Sequence, residues 1–244
     1  MELFDEVVVA VRGALDGLDD WGLMSGGAHS GQHFSDVAAD RAALDLLDRA
    51  GVGVLSEESG LTRGDHEIVV IIDPVDGSTN ASHALPWYAT SLAAVDADGL
   101  RAALVVNQAS GTRYSAVRGG GAFRDGTAIR PSGCTSFGDA LAGLSGLPPM
   151  HLGWSQFRAL GACALDLCAV ASGSLDAYLD CSGDAHGVWD YAGGMLICQE
   201  VGATVVDARG RDLVVMDHLA RRTPVATCTK AMVDEVLAAR SKFA

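Results

Sequence analysis

The fold and the chemistry are decided by the stretch Val69-Val70-Ile71-Ile72-Asp73-Pro74-Val75-Asp76-Gly77-Ser78-Thr79-Asn80. The β-branched run from Glu67 to Ile72 predicts a strand that is buried on both faces. Two aspartates three residues apart follow at its carboxyl end, where α/β sheets tend to place ligands. Pro74 fixes the backbone between them, and Gly77 lets the backbone approach a ligand closely.

Asp73 and Asp76 are close enough to repel each other, so one would protonate unless a divalent cation neutralised both. Magnesium prefers oxygen ligands, which the two carboxylates and the Val75 carbonyl can supply. The hydroxyls and N–H groups that follow, from Ser78 to Asn80, can bind phosphate as a helix start does. A surface Asx-turn is the alternative interpretation of D-P-x-D-G. The preceding strand and the acidic pair Glu57-Glu58 favour the metal site.

The composition narrows the function further. The chain has 244 residues and a net charge of −14, from 31 acidic and 17 basic residues. No basic stripe is available to neutralise nucleic-acid phosphates, so nucleic-acid binding is excluded. A phosphate ester would need a cationic element in the site, and bound metal is the simplest one. The sequence shows no signal peptide, no membrane span and no CxxC pair among its six cysteines, which predicts a cytoplasmic protein.

Apolar periodicity predicts the elements of the first half. An amphipathic helix covers Leu3 to Leu18, a loop covers Met24 to Ser35, and a second helix covers Asp36 to Arg49. Strands at Val52 to Leu55 and Glu67 to Ile72 precede an antiparallel meander between Ala89 and Phe123. Its strands are Thr90 to Val95, Ala102 to Val106 and Thr112 to Val117.

The second half mixes helices and strands. We expect helices at Gly161 to Ser172, Asp190 to Val201 and Thr229 to Ala239, and strands at Leu175 to Asp180 and Ala203 to Val206. Gly202 would close the middle helix. This mixture indicates a layered α/β or α+β sandwich. We divide it into residues 1–130, with the metal-binding motifs, and residues 131–244, which complete the site within one compact unit.

Several segments together resemble the inositol monophosphatase family, which belongs to a magnesium-dependent, lithium-sensitive phosphatase superfamily. Asp73 to Asn80 is similar to its signature D-P-[hydrophobic]-D-G-T/S-T-N. Ser56-Glu57-Glu58-Ser59 resembles the upstream G-E-E-S, and Trp189 to Gly194, followed by Glu200 to Ala203, resembles W-D-x-A-A-G…E-A-G-G. Gly119 to Gly126 and Ala171 to Tyr178 resemble the family's G-x-G-A-F-x-N-G and A-x-G-x-x-D-A-Y segments. The resemblance spans about residues 36–230.

The resemblance implies a layered α-β-α-β-α sandwich of the inositol monophosphatase / fructose-1,6-bisphosphatase type, usually a homodimer. It also implies that the magnesium ligands are Glu57, Asp73, the Val75 carbonyl, Asp76 and Asp190. Glu58 would lie behind these ligands without binding the metal directly. Hydrolysis would use metal-activated water without a covalent intermediate. Alone, an aspartate such as Asp190 before a helix is more often an N-cap.

The resemblance assigns further roles. Asp40 and Ser78 would orient the attacking water, with Glu57 as the third catalytic group. Gly77, Ser78 and the N–H groups around Gly161-Ala162-Cys163 would cradle the phosphate. Asp180 would contact substrate hydroxyls, and Asp76 and Asp190 would also border the substrate.

Some departures from the family pattern fall on the substrate side. No lysine precedes residue 230, so the segment Gly26 to His33 cannot supply the family's usual lysine. The segment 132–158 is short, and Cys181 to His186 forms a longer loop in which His186 could reach a substrate. We expect a small phosphorylated metabolite, such as an inositol, sugar or polyol phosphate. The alternatives are fructose-1,6-bisphosphatase, phosphoadenosine phosphatase or histidinol-phosphatase activity, or a non-catalytic metabolite-binding relative. A basic pocket for a second phosphate would favour the bisphosphatase, and Arg158 is the only arginine near the site segments of the second half.

Overall fold

The structure is a computed structural model that describes residues 1–19, 21–23 and 33–243. The predicted loop from Met24 to Ser35 lies outside the described residues up to position 32. His29 and most of the segment Gly26 to His33 lie outside them as well.

The described residues form six α-helices and thirteen β-strands. The helices are α1 (Glu2–Asp16), α2 (Phe34–Ala50), α3 (Ser78–Ser82), α4 (Cys163–Ala171), α5 (Val188–Glu200) and α6 (Val233–Arg240). The first eight strands are β1 (Gly53–Ser56), β2 (Gly60–Thr62), β3 (Val69–Asp76), β4 (Ala89–Asp96), β5 (Gly99–Asn107), β6 (Arg113–Val117), β7 (Ala122–Arg124) and β8 (Thr127–Ala128). The other five are β9 (Leu141–Ser145), β10 (Gln156–Arg158), β11 (Ala177–Asp180), β12 (Thr204–Asp207) and β13 (Pro224–Thr227).

Two sheets organise the molecule. The first eight strands form one sheet in the order β2-β1-β3-β4-β5-β6-β7-β8, and the last five form the other in the order β10-β9-β11-β13-β12. In the larger sheet β1 runs parallel to β3, and the strands from β3 to β8 form an antiparallel meander. All eight residues of β3 are buried, because helices cover both faces of this sheet.

The helices complete three further layers. Helices α1 and α2 pack together and cover one face of the eight-stranded sheet through an apolar cluster that includes Val7, Leu47 and Ile72. Helices α4 and α5 lie between the two sheets, and α6 packs against β13. The layers therefore follow the order α-β-α-β-α, which confirms the predicted sandwich.

Helix α5 approaches its neighbours through two small residues. A Cβ atom on Gly194 would lie 2.6 Å from the Leu167 Cβ and 3.0 Å from the Ala164 carbonyl oxygen of α4. A Cβ atom on Gly193 would lie 2.7 Å from the Ser91 hydroxyl oxygen on β4. Glycine at both positions lets α5 pack close to α4 and to the eight-stranded sheet at once.

The predicted helices and strands agree with the structure except at some of their ends. The predicted opening helix is α1, the meander strands are β4, β5 and β6, and the predicted helices of the second half are α4, α5 and α6. Three strands of the five-stranded sheet, β9, β10 and β13, were not predicted. Helix α5 begins before Asp190, with Gly187 as its N-cap, so Asp190 occupies the first turn rather than the cap.

A search of the described helices for a long apolar segment finds none that could cross a membrane.

Candidate active site

The carboxyl end of β3 forms a bulge that carries both predicted aspartates. Asp73 pairs with Ser91 and Asp76 pairs with Ala89, so β3 has one more residue than β4 between these pairs. Pro74 fits this position, because a bulge does not require the N–H group that proline lacks. The bulge changes the direction of the strand just where the carboxylates are needed.

Gly77 follows the bulge with a left-handed backbone, at φ +90°. A Cβ atom there would lie 3.1 Å from the Ala162 Cβ and from the carbonyl oxygens of Gly161 and Trp87. Both the backbone angle and the close approach therefore require glycine. The end of β3 can thus lie directly against the segment that leads into α4.

Glu57, Asp73 and Asp190 converge although they are far apart in sequence. One carboxylate oxygen from each lies within 4.8 Å of the other two. Glu57 follows β1, which pairs with β3 in parallel, and its N–H donates to the Ile72 carbonyl at 3.2 Å. Asp190 reaches the cluster from the first turn of α5.

The environment of these carboxylates opposes their charge. Burial, together with the charges of Asp190 and Glu58, raises the pKa of Glu57 to about 8. Burial and the Glu57 charge raise the pKa of Asp73 well above its usual value. Converging carboxylates whose ionisation is this costly fit a hard divalent cation, which prefers oxygen ligands and would neutralise them. The residues present can therefore hold a metal ion.

Asp76 links β3 to α4. Its two carboxylate oxygens accept the N–H groups of Cys163 at 3.2 Å and of Ala164 at 2.7 Å, at the start of the helix. Burial and the charge of Asp190 nevertheless raise the pKa of Asp76. The N–H of Cys163, predicted as part of the phosphate cradle, is therefore engaged by Asp76.

In the structure, Asp40 has hydroxyl partners other than Ser78. The Asp40 carboxylate hydrogen-bonds with the hydroxyls of Ser56, at 2.5 Å, and Ser59. Burial raises the pKa of Asp36, in the first turn of α2, and the nearby Ser78 side chain is among the groups that lower it. The two aspartates lie one helical turn apart on the same helix, a shift of about 5 Å that matching a motif could not reveal.

A cavity of about 170 Å³ contains the converging groups. The predicted residues that line it are Glu57, Asp73, Val75, Asp76, Gly77, Ser78, Gly161, Ala162, Cys163 and Asp190. His186 lines it as well, together with three residues that were not predicted: Ser145, Asp166 and Tyr178. A larger groove of about 810 Å³ lies elsewhere, and its charged lining residues Arg124, Asp125 and Arg130 offer no such group of carboxylates.

Asp166 is a further carboxylate at this cavity. It lies on α4, and its Oδ1 accepts the indole N–H of Trp87 at 2.9 Å. Burial raises the pKa of Asp166 to about 7, although the Trp87 hydrogen bond acts in the opposite direction. Its position at the cavity was not predictable from the sequence, because an aspartate inside a helix has no distinguishing neighbours.

Asp180 is not among the residues that line the cavity, where it was predicted to contact substrate hydroxyls. It is fully buried, its Oδ1 accepts the Ser182 N–H at 2.8 Å, and its Oδ2 has no partner among the described residues. His186 lies between it and Asp190, 4.0 Å from the Asp180 Oδ1. The physical reason is that Asp180 ends β11 inside the five-stranded sheet, whereas the longer loop after it brings His186 to the cavity.

Comparison with known proteins gives consistent matches in sequence and in fold. A sequence model of the inositol monophosphatase family matches residues 35–242. An inositol-1-monophosphatase of Mesorhizobium japonicum is 34% identical over 194 residues, which cover 70% of this chain and 71% of that protein. A fructose-1,6-bisphosphatase/inositol-1-monophosphatase of Archaeoglobus fulgidus is 33% identical over 183 residues, covering 73% of this chain and 71% of that protein.

Among solved structures, an extragenic suppressor from Pyrococcus furiosus matches with a TM-score of 0.82 at 26% identity. The match covers 96% of this chain and 97% of that one. The resemblance found in the sequence motifs is therefore confirmed over most of the chain.

Proposed function

The chain belongs to the inositol monophosphatase family, and from this premise we propose that it is a magnesium-dependent hydrolase of small phosphate monoesters. The observation that carries the proposal is the convergence of Glu57, Asp73 and Asp190 within 4.8 Å in a buried cavity. The substrates that we propose are inositol monophosphate and related sugar or polyol phosphates.

The proposed metal ligands are Glu57, Asp73, the Val75 carbonyl, Asp76 and Asp190, all of which line the cavity. Bound magnesium would neutralise these carboxylates, lower the pKa of water and stabilise the charge that develops on the phosphoryl group. The metal-ligand roles are supported by the donor chemistry, because oxygen ligands of this kind are the ones that magnesium prefers.

The remaining groups orient the reactants. The Ser78 hydroxyl, which lies near the Asp36 carboxylate, is suited to hydrogen-bond with the attacking water. We propose this role for Asp36 instead of Asp40. The backbone around Gly77 is suited to bind the phosphate oxygens, because the absence of a Cβ atom leaves room for a close approach.

The cavity favours a substrate with a single phosphate and neutral hydroxyls. Its lining contains carboxylates, hydroxyls and His186, and none of the described residues that form it is an arginine or a lysine. Positions 24–32 contain neither residue type, and Arg158 is exposed on β10 with its guanidinium on the Phe157 carbonyl. A second phosphate would lack the cationic partner that its charge requires. Bisphosphatase activity, which the name of the Archaeoglobus fulgidus relative includes, is therefore our second choice.

Two finer proposals concern the setting of the protein. All six cysteines are free thiols, which supports a reducing compartment such as the cytoplasm. The side chains of Leu147, Met150 and Phe157 are exposed within one short segment, which supports association into a homodimer.

The test is phosphate release from p-nitrophenyl phosphate and from a panel of phosphorylated metabolites. We expect turnover with magnesium and its loss in EDTA. Asp73→Asn should lower kcat/KM by at least about 100-fold, because it removes a charged ligand from the cluster. The matched control is Glu67→Gln, an exposed carboxylate before β3. A protein that binds these metabolites but releases no phosphate would support the non-catalytic alternative and contradict the proposal.

A further inference from the structure

His186 is the residue of the cavity wall whose role the proposed reaction leaves open. It lies in the loop between β11 and α5 and lines the cavity beside the carboxylates. Its ring is mostly buried, with 13% of the side chain exposed. Both ring nitrogens already contact protein groups, so this histidine is poorly suited to bind a substrate directly.

The Nδ1 nitrogen of the ring contacts Asp190. The His186 Nδ1 donates to the Asp190 Oδ2 at 2.8 Å, and since a carboxylate only accepts, this nitrogen carries the proton. The same Oδ2 also accepts the Gly187 N–H at 3.0 Å. Two donors therefore occupy Oδ2, which leaves Oδ1 of Asp190 available to a cation.

The Nε2 nitrogen of the ring contacts two hydroxyl groups. The His186 Nε2 lies 3.1 Å from the Tyr178 hydroxyl and 3.3 Å from the Ser145 hydroxyl. Asp180 lies behind these groups, with its Oδ1 4.0 Å from Nε2. These contacts hold the imidazole ring on the side away from Asp190.

The backbone of His186 is also fixed. Its N–H donates to the Arg222 carbonyl at 3.2 Å, and its carbonyl accepts the Arg222 N–H at 2.8 Å. These two bonds form an isolated bridge between the loop and the residues that precede β13. The ring therefore cannot swing away from Asp190 without breaking contacts on both sides.

We propose that His186 is a positioning residue: it fixes the Asp190 carboxylate so that one oxygen is held for the divalent cation of the active site. The inference rests on the proposed function, because it takes Asp190 as a metal ligand. Partners of this kind orient metal ligands, and their loss typically weakens metal binding by about 10–100-fold.

Two variants separate the two ends of the ring. In His186→Asn the amide nitrogen lies as many bonds from Cα as Nδ1 does, so it can still donate to Asp190. In His186→Gln the amide nitrogen matches Nε2, so it reaches Tyr178 and Ser145 but leaves Asp190 with the Gly187 N–H as its remaining donor. His66→Gln is the matched control, since His66 is exposed and contacts the Gly51 carbonyl.

The measurement is the Kd for Mg²⁺ by isothermal titration calorimetry, with far-UV circular dichroism melting curves to compare the folding of the variants. We expect His186→Gln to raise the Kd by about 10–100-fold. We expect His186→Asn to keep it within about 3-fold of the wild-type value, and His66→Gln to leave it unchanged.

The outcomes separate this inference from the proposed function. Equal Mg²⁺ affinity in the wild type and in His186→Gln would overturn the positioning role while the proposed function stands. Equal weakening in His186→Asn and His186→Gln would also overturn it, because the donor at the Nδ1 position would then be irrelevant. Absence of Mg²⁺ binding in the wild type would overturn the proposed function and this inference with it.

Discussion

The metal-free protein should lose stability as the pH rises. Burial and neighbouring charges raise the pKa of Glu57 from 4.5 to about 8 in the folded protein. The folded state therefore binds more protons than the unfolded state between these two values. Raising the pH through this window lowers the free energy of unfolding, at about 1.4 kcal/mol per pH unit. The whole window corresponds to at most about 5 kcal/mol, since some relaxation of the folded site will reduce it.

Urea denaturation in EDTA at about pH 5 and about pH 8 measures this effect. Other groups also titrate, so the informative quantity is the difference between the wild type and Glu57→Gln, which cannot ionise at this position. We expect the wild type to lose up to about 5 kcal/mol more than Glu57→Gln between the two pH values. Glu67→Gln is the control, because Glu67 is exposed and lies six residues, or about 20 Å, before Asp73 along the chain.

Magnesium should reverse the trend. Its ligands must be deprotonated, so added Mg²⁺ should stabilise the protein more at about pH 8 than at about pH 5. Parallel pH dependence in the wild type and Glu57→Gln would refute the reasoning, since it would mean that the Glu57 carboxyl titrates as it does in the unfolded chain.

Three further changes test the geometry. Gly77→Ala should destabilise the protein by about 1–3 kcal/mol in thermal unfolding, through its backbone angle and the contacts at 3.1 Å. Gly99→Ala, where nothing lies within 4 Å of the added Cβ atom, should cost less, and an equal cost would contradict the contact argument. Asp36→Asn should lower kcat by about 100-fold or more, whereas Asp40→Asn should lower stability more than kcat. Steady-state kinetics and melting curves measure the two effects. The opposite result would favour Asp40 as the partner of Ser78. Gly194→Ala should lower the free energy of unfolding by about 1–3 kcal/mol, because a Cβ atom would lie 2.6 Å from Leu167, and an unchanged urea midpoint would contradict this.

The sequence predicted the carboxylate cluster because its signal is local. Asp73 and Asp76 follow a β-branched run that predicted the strand, although β3 continues through both aspartates instead of ending at Ile72. The motifs at Glu57 and Asp190 then supplied residues that the fold brings to the same point. At this site the local sequence pattern and the tertiary arrangement therefore indicate the same residues.

The substrate side was less predictable because its geometry depends on small displacements. Asp36 and Asp40 lie one turn apart on α2, and the sequence motif alone does not show that Asp36 is the one near Ser78. Asp180 was matched correctly to the end of a strand, but the length of the following loop decides that His186 reaches the cavity.

Two of the three strands missed in the five-stranded sheet, β9 and β13, were missed for a different reason. Strand β13 begins with Pro224, and proline usually argues against a strand; it is tolerated as the first residue, because a strand can start without that N–H. Strand β9 contains two small residues, Ala142 and Gly143, whose β propensity is low. Both strands form because they pair with β11, a tertiary effect that overrides local preference.

The site also bears on how the two halves of the chain depend on each other. We propose that residues 1–130 and 131–244 form one unit rather than two independent domains. Asp76 of the first half accepts the N–H groups that begin α4 in the second half, and α5 of the second half packs on β4 and β5 of the first. If the halves separated, the start of α4 would lose its acceptor, and the α5 face of the large sheet would be exposed to water.

The carboxylate cluster would separate as well, because Asp190 comes from one half and Glu57 and Asp73 come from the other. The contacts that join the halves therefore also oppose the repulsion among the carboxylates. A cation that neutralises this repulsion would stabilise the whole fold and not the site alone.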